Sequence, residues 1–91
     1  VLTRAATGAS LSVTGAVLAH SGTAPAAGGT AGMGLTFSST ANLGLFAGTG
    51  IPTLSAGKGS IYINTTAAST TTRIYVNTDG GTTWTHLTTN A

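Results

Sequence analysis

The sequence predicts an all-β subunit: a small antiparallel meander forming a sandwich-like knob, preceded by an extended N-terminal half. Three observations carry this. Residues 59–87 alternate apolar and polar side chains with period two and hold three of the five aromatics. β-Branched and aromatic residues dominate those runs, which suits a pleated, half-buried surface. The same segment contains Asp79-Gly80, a tight-turn signal set between two such runs.

Taken in order, residues 1–8 read as a lead-in. Residues 10–19 alternate, with Leu11 and Val13 on one face and Ser10, Ser12 and Thr14 on the other, which predicts a strand. A helix over 16–19 is the rival, weakened by the nearby threonine and glycine. Residues 21–34 are low-complexity, with Met33 the one large side chain, and fit a linker or an extended strand packed on neighbouring chains. Gly28, Gly29, Gly32 and Gly34 do not make a phosphate cradle, because the lysine and hydroxyl of that motif are missing. Leu35 and Phe37 alternate again, and 42–46 is a second short apolar run, broken by Gly48, Gly50 and Pro52. Gly59 lets the backbone turn into the next strand. Three strands then follow, around Ile61 and Ile63, around Ile74 and Val76, and over 83–87; the Thr/Ser/Ala stretch 65–72 connects the first two.

Composition bears on assembly. Ninety-one residues suffice for one small domain, yet 15 of the residues counted as hydrophobic are alanine and only 22 are large apolar side chains. So thin a core points to burial against other subunits. Arg4, Lys58, Arg73 and Asp79 are the only charged residues, 4% of the chain, where soluble domains carry about 25%. A surface so neutral does little to oppose self-association. The expected organisation is an assembly segment with short strands over 1–47 and the meander knob over 48–91.

The same composition excludes several functions. Neutralising phosphates needs several cations on one face, and three Lys and Arg scattered through the chain give no nucleic-acid signature. There is no cysteine, hence no disulfide or thiolate metal site. No run of 18 apolar residues exists, so no membrane-spanning helix is expected, and residues 4–20 lack the apolar core of a signal peptide. Val1 in place of an initiating Met suggests a processed product or a piece of something longer.

The most specific motif is Asn77-Thr78-Asp79-Gly80-Gly81-Thr82-Thr83-Trp84. Aspartate and glycine tolerate positive φ, so Asp79-Gly80 predicts a hairpin turn. The pattern resembles the Asp-box of sialidases and related propellers through Asp79, Gly81, Thr83 and Trp84, with Asn77 where serine or threonine is usual. That resemblance implies a structural role, the carboxylate accepting backbone N–H groups while the aromatic packs beneath. One box in 91 residues cannot make a propeller of four or more blades, so sialidase activity is not implied.

No catalytic, cofactor or metal site is assigned. Asp79 is the sole acidic side chain, so a carboxylate pair is impossible. A Ser-His-Asp set can be written on paper with His20 or His86, but no nucleophile elbow is present and Asp79 has a turn to hold. His20 and His86 could bind a metal about a three-fold axis; an exposed or edge-strand histidine is the commoner account. Tyr62, Tyr75 and Trp84 could form a sugar-stacking platform, against which stands ordinary packing on the sheet. Asn64-Thr65-Thr66 matches a glycosylation acceptor, a chance match being expected among 20 threonines.

With these residues read, the chain resembles a tailed-bacteriophage virion structural protein. ATGASLSVTG (residues 6–15) is similar to the repetitive segments of phage fibres. AGTGIPTLSAGKGSIYINT (47–65) and TRIYVNTDGGTTWT (72–85) resemble C-terminal modules of head fibres, decoration proteins and tail fibres. The likeness covers residues 48–91 closely and the remainder loosely. It implies a virion location, a homotrimer, contact with other virion proteins such as the major capsid protein, and no catalytic residues. Its other implication is a tail-fibre tip that binds a host-surface receptor or glycan.

Overall fold

A computed structural model describes residues 24–31, 34–38 and 40–90. The chain is all-β. Five strands, β1 (Leu35–Ser38), β2 (Leu43–Gly48), β3 (Ile61–Asn64), β4 (Ile74–Asn77) and β5 (Trp84–Leu87), form one sheet in sequence order. A 3₁₀ turn, Thr40–Asn42, joins β1 to β2, and among the described residues there is no α-helix. The strand predicted over 10–19 lies outside the described residues.

The sheet is mixed. β3, β4 and β5 form the antiparallel meander, with Tyr62 opposite Tyr75 and Tyr75 opposite His86. β1 and β2 are also antiparallel, with an irregularity between Thr36 and Ser38. β2 and β3, however, run parallel, in the register Leu45–Ile61, Phe46–Tyr62, Ala47–Ile63 and Gly48–Asn64. A parallel pair needs a crossover rather than a hairpin, and residues 49–60 supply it without a helix. One expectation is extended here: the antiparallel meander is present as β3–β5, and β1 and β2 join it in a mixed sheet through a parallel pairing. Residues 35–48 therefore belong to the folded body.

Period two sorts each strand onto two faces. One face carries Phe46, Tyr62 and Tyr75, and the crossover lays Leu54 and Ala56 over them to close the core, with Trp84 packed alongside. The covering layer is a loop instead of a second sheet, so the knob is not a sandwich. Pro52, which cannot donate to a ladder, sits buried in this loop, and β2 ends at Gly48.

Tyr62 ties the layers together. Its side chain is fully buried, and its ring centroid lies 6.2 Å from that of Tyr75 and 5.9 Å from that of Trp84. Its hydroxyl donates to the Gly50 carbonyl at 3.0 Å and more weakly to that of Thr49 at 3.4 Å, where the crossover departs from β2. Space there is limited: a Cβ on Gly48 would fall 2.6 Å from both the Tyr62 hydroxyl and the Gly29 nitrogen. Of the stretch read as a linker or an extended strand, residues 26–29 fold onto this corner. Gly28 N donates to Thr49 O at 2.7 Å, and Thr53 N donates to Gly28 O at 2.9 Å.

Replacing Tyr62 by Phe keeps the ring and removes the hydroxyl, leaving the Gly50 carbonyl short of a donor. The expected cost is about 1 kcal/mol, read as a lower urea midpoint at unchanged m-value and fixed protein concentration.

Candidate functional site

The hairpin joining β4 to β5 is built from two side chains. Asn77, 1% exposed, closes β4. Its Oδ1 accepts from Gly80 N at 2.8 Å and Asp79 N at 3.3 Å, while its Nδ2 donates to Gly81 O at 2.8 Å. Asp79 works the other half of the turn: its Oδ1 accepts from Gly81 N at 2.8 Å and Thr83 N at 3.2 Å. Gly80 takes φ +78°, the left-handed conformation that glycine adopts without penalty. The backbone bond from Thr78 N to Thr83 O, 3.1 Å, closes the loop.

Neighbouring elements hold this turn in place. Ala56 N donates to Gly81 O, Gly59 N donates to Asn77 O, and Asn77 N donates to Ser60 O, all within 3.0 Å. Trp84 leaves the turn onto the core face, where its indole N–H donates to Leu54 O at 3.0 Å. The hairpin thus clamps the end of the crossover.

These contacts decide what the residues can do chemically. Asp79 is exposed, but a hydrogen bond from the Thr83 side chain, followed by the Gly81 amide, holds its carboxyl below the usual carboxylate range. An acid kept ionised and already accepting two amides is poorly suited to general acid–base work, which needs a pKa near the operating pH. Burial, with the adjacent Tyr75 phenol, pushes the Tyr62 hydroxyl above its ordinary value.

The aromatic platform does not form. Tyr62 and Tyr75 lie in the core, 0% and 5% exposed, and their rings meet each other rather than solvent. Trp84 is half-buried against the same cluster. A sugar ring finds no stacking face at either tyrosine. Period two places the three aromatics on one side of the sheet, and that side is the covered one.

His86 stands exposed on β5, its ring edge-on to Tyr75 at 6.5 Å. His20 lies outside the described residues, and among those described no three potential metal ligands come together. Asn64 does not present a free acceptor amide: Nδ2 donates to Thr72 O at 2.8 Å, while Oδ1 accepts from Thr66 N and Thr66 Oγ1.

Sequence reasoning missed the parts played by Asn77, Asn64 and Ser60. Ser60, 1% exposed, accepts from Gly44 N at 3.0 Å and so helps fasten β2 to the start of β3. A signal for the asparagines was present. Ile61-Tyr62-Ile63-Asn64-Thr65 and Ile74-Tyr75-Val76-Asn77-Thr78 share one pattern, and in both the asparagine folds back to cap the turn after its strand. Among the described residues every buried side-chain nitrogen or oxygen has a partner.

Comparison with protein-family models, curated proteins and solved structures finds no match.

Two outcomes follow from this geometry. Asn77→Ala removes the acceptor of the Gly80 and Asp79 amides and one of the two donors to Gly81 O, and should cost about 2 kcal/mol in chemical denaturation, whereas Thr82→Ala, at an exposed position, should cost little. Because folding lowers the Asp79 pKa, its stabilisation is present above the unfolded-state pKa and lost as pH falls through the folded-state value. Urea midpoints measured from pH 6 down to 2 should therefore decline in the acid range, and Asp79→Asn should flatten that decline.

Proposed function

We propose that this chain is a non-enzymatic structural subunit of a tailed-bacteriophage virion, a capsid decoration or fibre module that works as a homotrimer. The observation that carries the reading is the employment of the side chains. Asp79 and Asn77 hold a turn, and Tyr62, Tyr75 and Trp84 fill a core. The sole acidic side chain and the aromatics of the supposed platform are thus engaged in holding the fold.

Composition and surface support assembly. Only 4% of residues are charged, and seven large apolar side chains are exposed among the described residues. A subunit of this kind gains stability from its neighbours, as in obligate oligomers. The virion assignment rests on the likeness of residues 47–65 and 72–85 to phage head-fibre, decoration and tail-fibre modules. The enclosed tyrosines disfavour the alternative of a glycan-binding tip.

Sedimentation equilibrium of the full chain at micromolar concentration should return three times the monomer mass of 8.8 kDa. A folded monomer would overturn the trimer. Antibody against the chain should decorate intact particles in electron micrographs, and particles left unlabelled at every position would overturn the virion assignment.

A further inference from the structure

We propose that the open face of the sheet is where copies of this chain meet, with Ile61 and Ile63 of β3 at the centre of the contact. The proposal rests on the homo-oligomeric reading above and names the surface responsible.

Register places the residues. Leu45, Ile61 and Val76 stand in one row across β2, β3 and β4, and Ile63, Ile74 and Leu87 in a second across β3, β4 and β5. All six point away from the core, being offset by one residue from Phe46, Tyr62, Tyr75 and His86. β3 is the middle strand of five, so its two isoleucines sit at the centre of the face. Both are 42% exposed, with Leu45 at 36% and Leu87 at 47%. The side of the sheet that carries β-branched aliphatics, the residues best suited to sheet packing, is the side left open.

Charge and area favour a second copy as the occupant. None of the charged groups lies in these rows. Lys58 is in the crossover, Asp79 is in the hairpin, and the Arg73 guanidinium is tied to Thr89 Oγ1 and Asn90 O. Two such faces therefore meet without burying an ion or opposing like charges. With Leu35, which pairs with Leu45 and carries the first row onto β1, the exposed aliphatic area on one copy is roughly 400 Å², within the span of the largest patch on a typical monomer. Two faces together approach the roughly 1,000 Å² that a specific interface needs.

The rival cover is the chain's own residues 1–23. Extended at about 3.3 Å per residue, they are long enough to reach, and they include Leu11 and Val13. The loop that covers the other face has its carbonyls met by the Tyr62 hydroxyl and the Trp84 indole, and the aliphatic rows offer an unpaired segment no such donor. Further copies bring sheets whose backbone bonds are already made, and three such faces can close around one axis through side chains alone.

The test uses the full chain. Ile61→Lys and Ile63→Lys, made singly, should weaken self-association at least 100-fold in sedimentation velocity, while Thr82→Lys on the hairpin leaves it unchanged. Trp84 fluorescence, which reports the opposite face, should stay as in the unaltered chain. Because a lysine could unfold the subunit, Ile63→Cys is a second probe in a chain with no cysteine of its own. Mild oxidation should link copies through a disulfide. An Ile63→Lys variant that keeps the oligomer mass, or an Ile63→Cys oligomer that forms no crosslink, overturns this interface while leaving the homo-oligomer intact. A chain that is a folded monomer without any substitution overturns both.

Discussion

The contact on which the rest depends is Tyr62 against the crossover. Its ring is the midpoint of the aromatic line Phe46–Tyr62–Tyr75 across three strands, and its hydroxyl reaches the carbonyls where the chain leaves β2. Without that anchor, residues 49–60 would have little reason to lie on the sheet, because the loop contributes only Leu54 and Ala56 to the core. Trp84 secures the other end through its bond to Leu54 O. The aromatics therefore do two jobs, filling volume and fixing a loop that has no secondary structure of its own.

The economy of the fold follows from this. A small chain with 22 large apolar side chains places Phe46, Tyr62, Tyr75 and Trp84 on one side of the sheet, with Phe37 exposed on β1, and the aliphatics of the two rows on the other side. The aromatic side is covered by the chain itself. Rings with polar tips suit a layer of irregular backbone, since each tip can satisfy a carbonyl that no ladder reaches. Aliphatics offer no such partner and suit a surface whose backbone is already paired. The unequal chemistry of the two faces matches the unequal nature of what can lie on each.

Much of this was legible. The meander showed because period two and β-branched residues run through residues 61–87, and Asp79-Gly80 marks its second turn. The parallel pairing of β2 with β3 was not, because nothing local distinguishes a loop that ends a domain from one that crosses over a sheet. Gly28 and Gly29 read as linker for a related reason: their fit against Thr53, Leu54 and Tyr62 is a long-range fact. Tyr62 and Tyr75 were placed on the correct common side, but alternation says which residues share a face and not which face is covered. Here both faces are apolar, so the pattern could not decide between them. Asn77 stands where the Asp-box pattern has serine or threonine, and that pattern gives no hint of a side chain that accepts and donates at once.

The parallel crossover also orders events in time. β3, β4 and β5 contact one another through short connections, whereas β2 can pair with β3 only after the twelve residues 49–60 have closed on themselves. Local contacts form ahead of distant ones because less chain entropy is lost in making them. On a ribosome β1 and β2 can pair with each other at once, but β2 meets β3 only after the crossover and β3 have been made. The second aliphatic row ends at Leu87 on β5, so the pair of rows is not complete until that strand is in place. Under the proposed interface, a nascent chain therefore presents its whole contact surface only once β5 has joined the sheet.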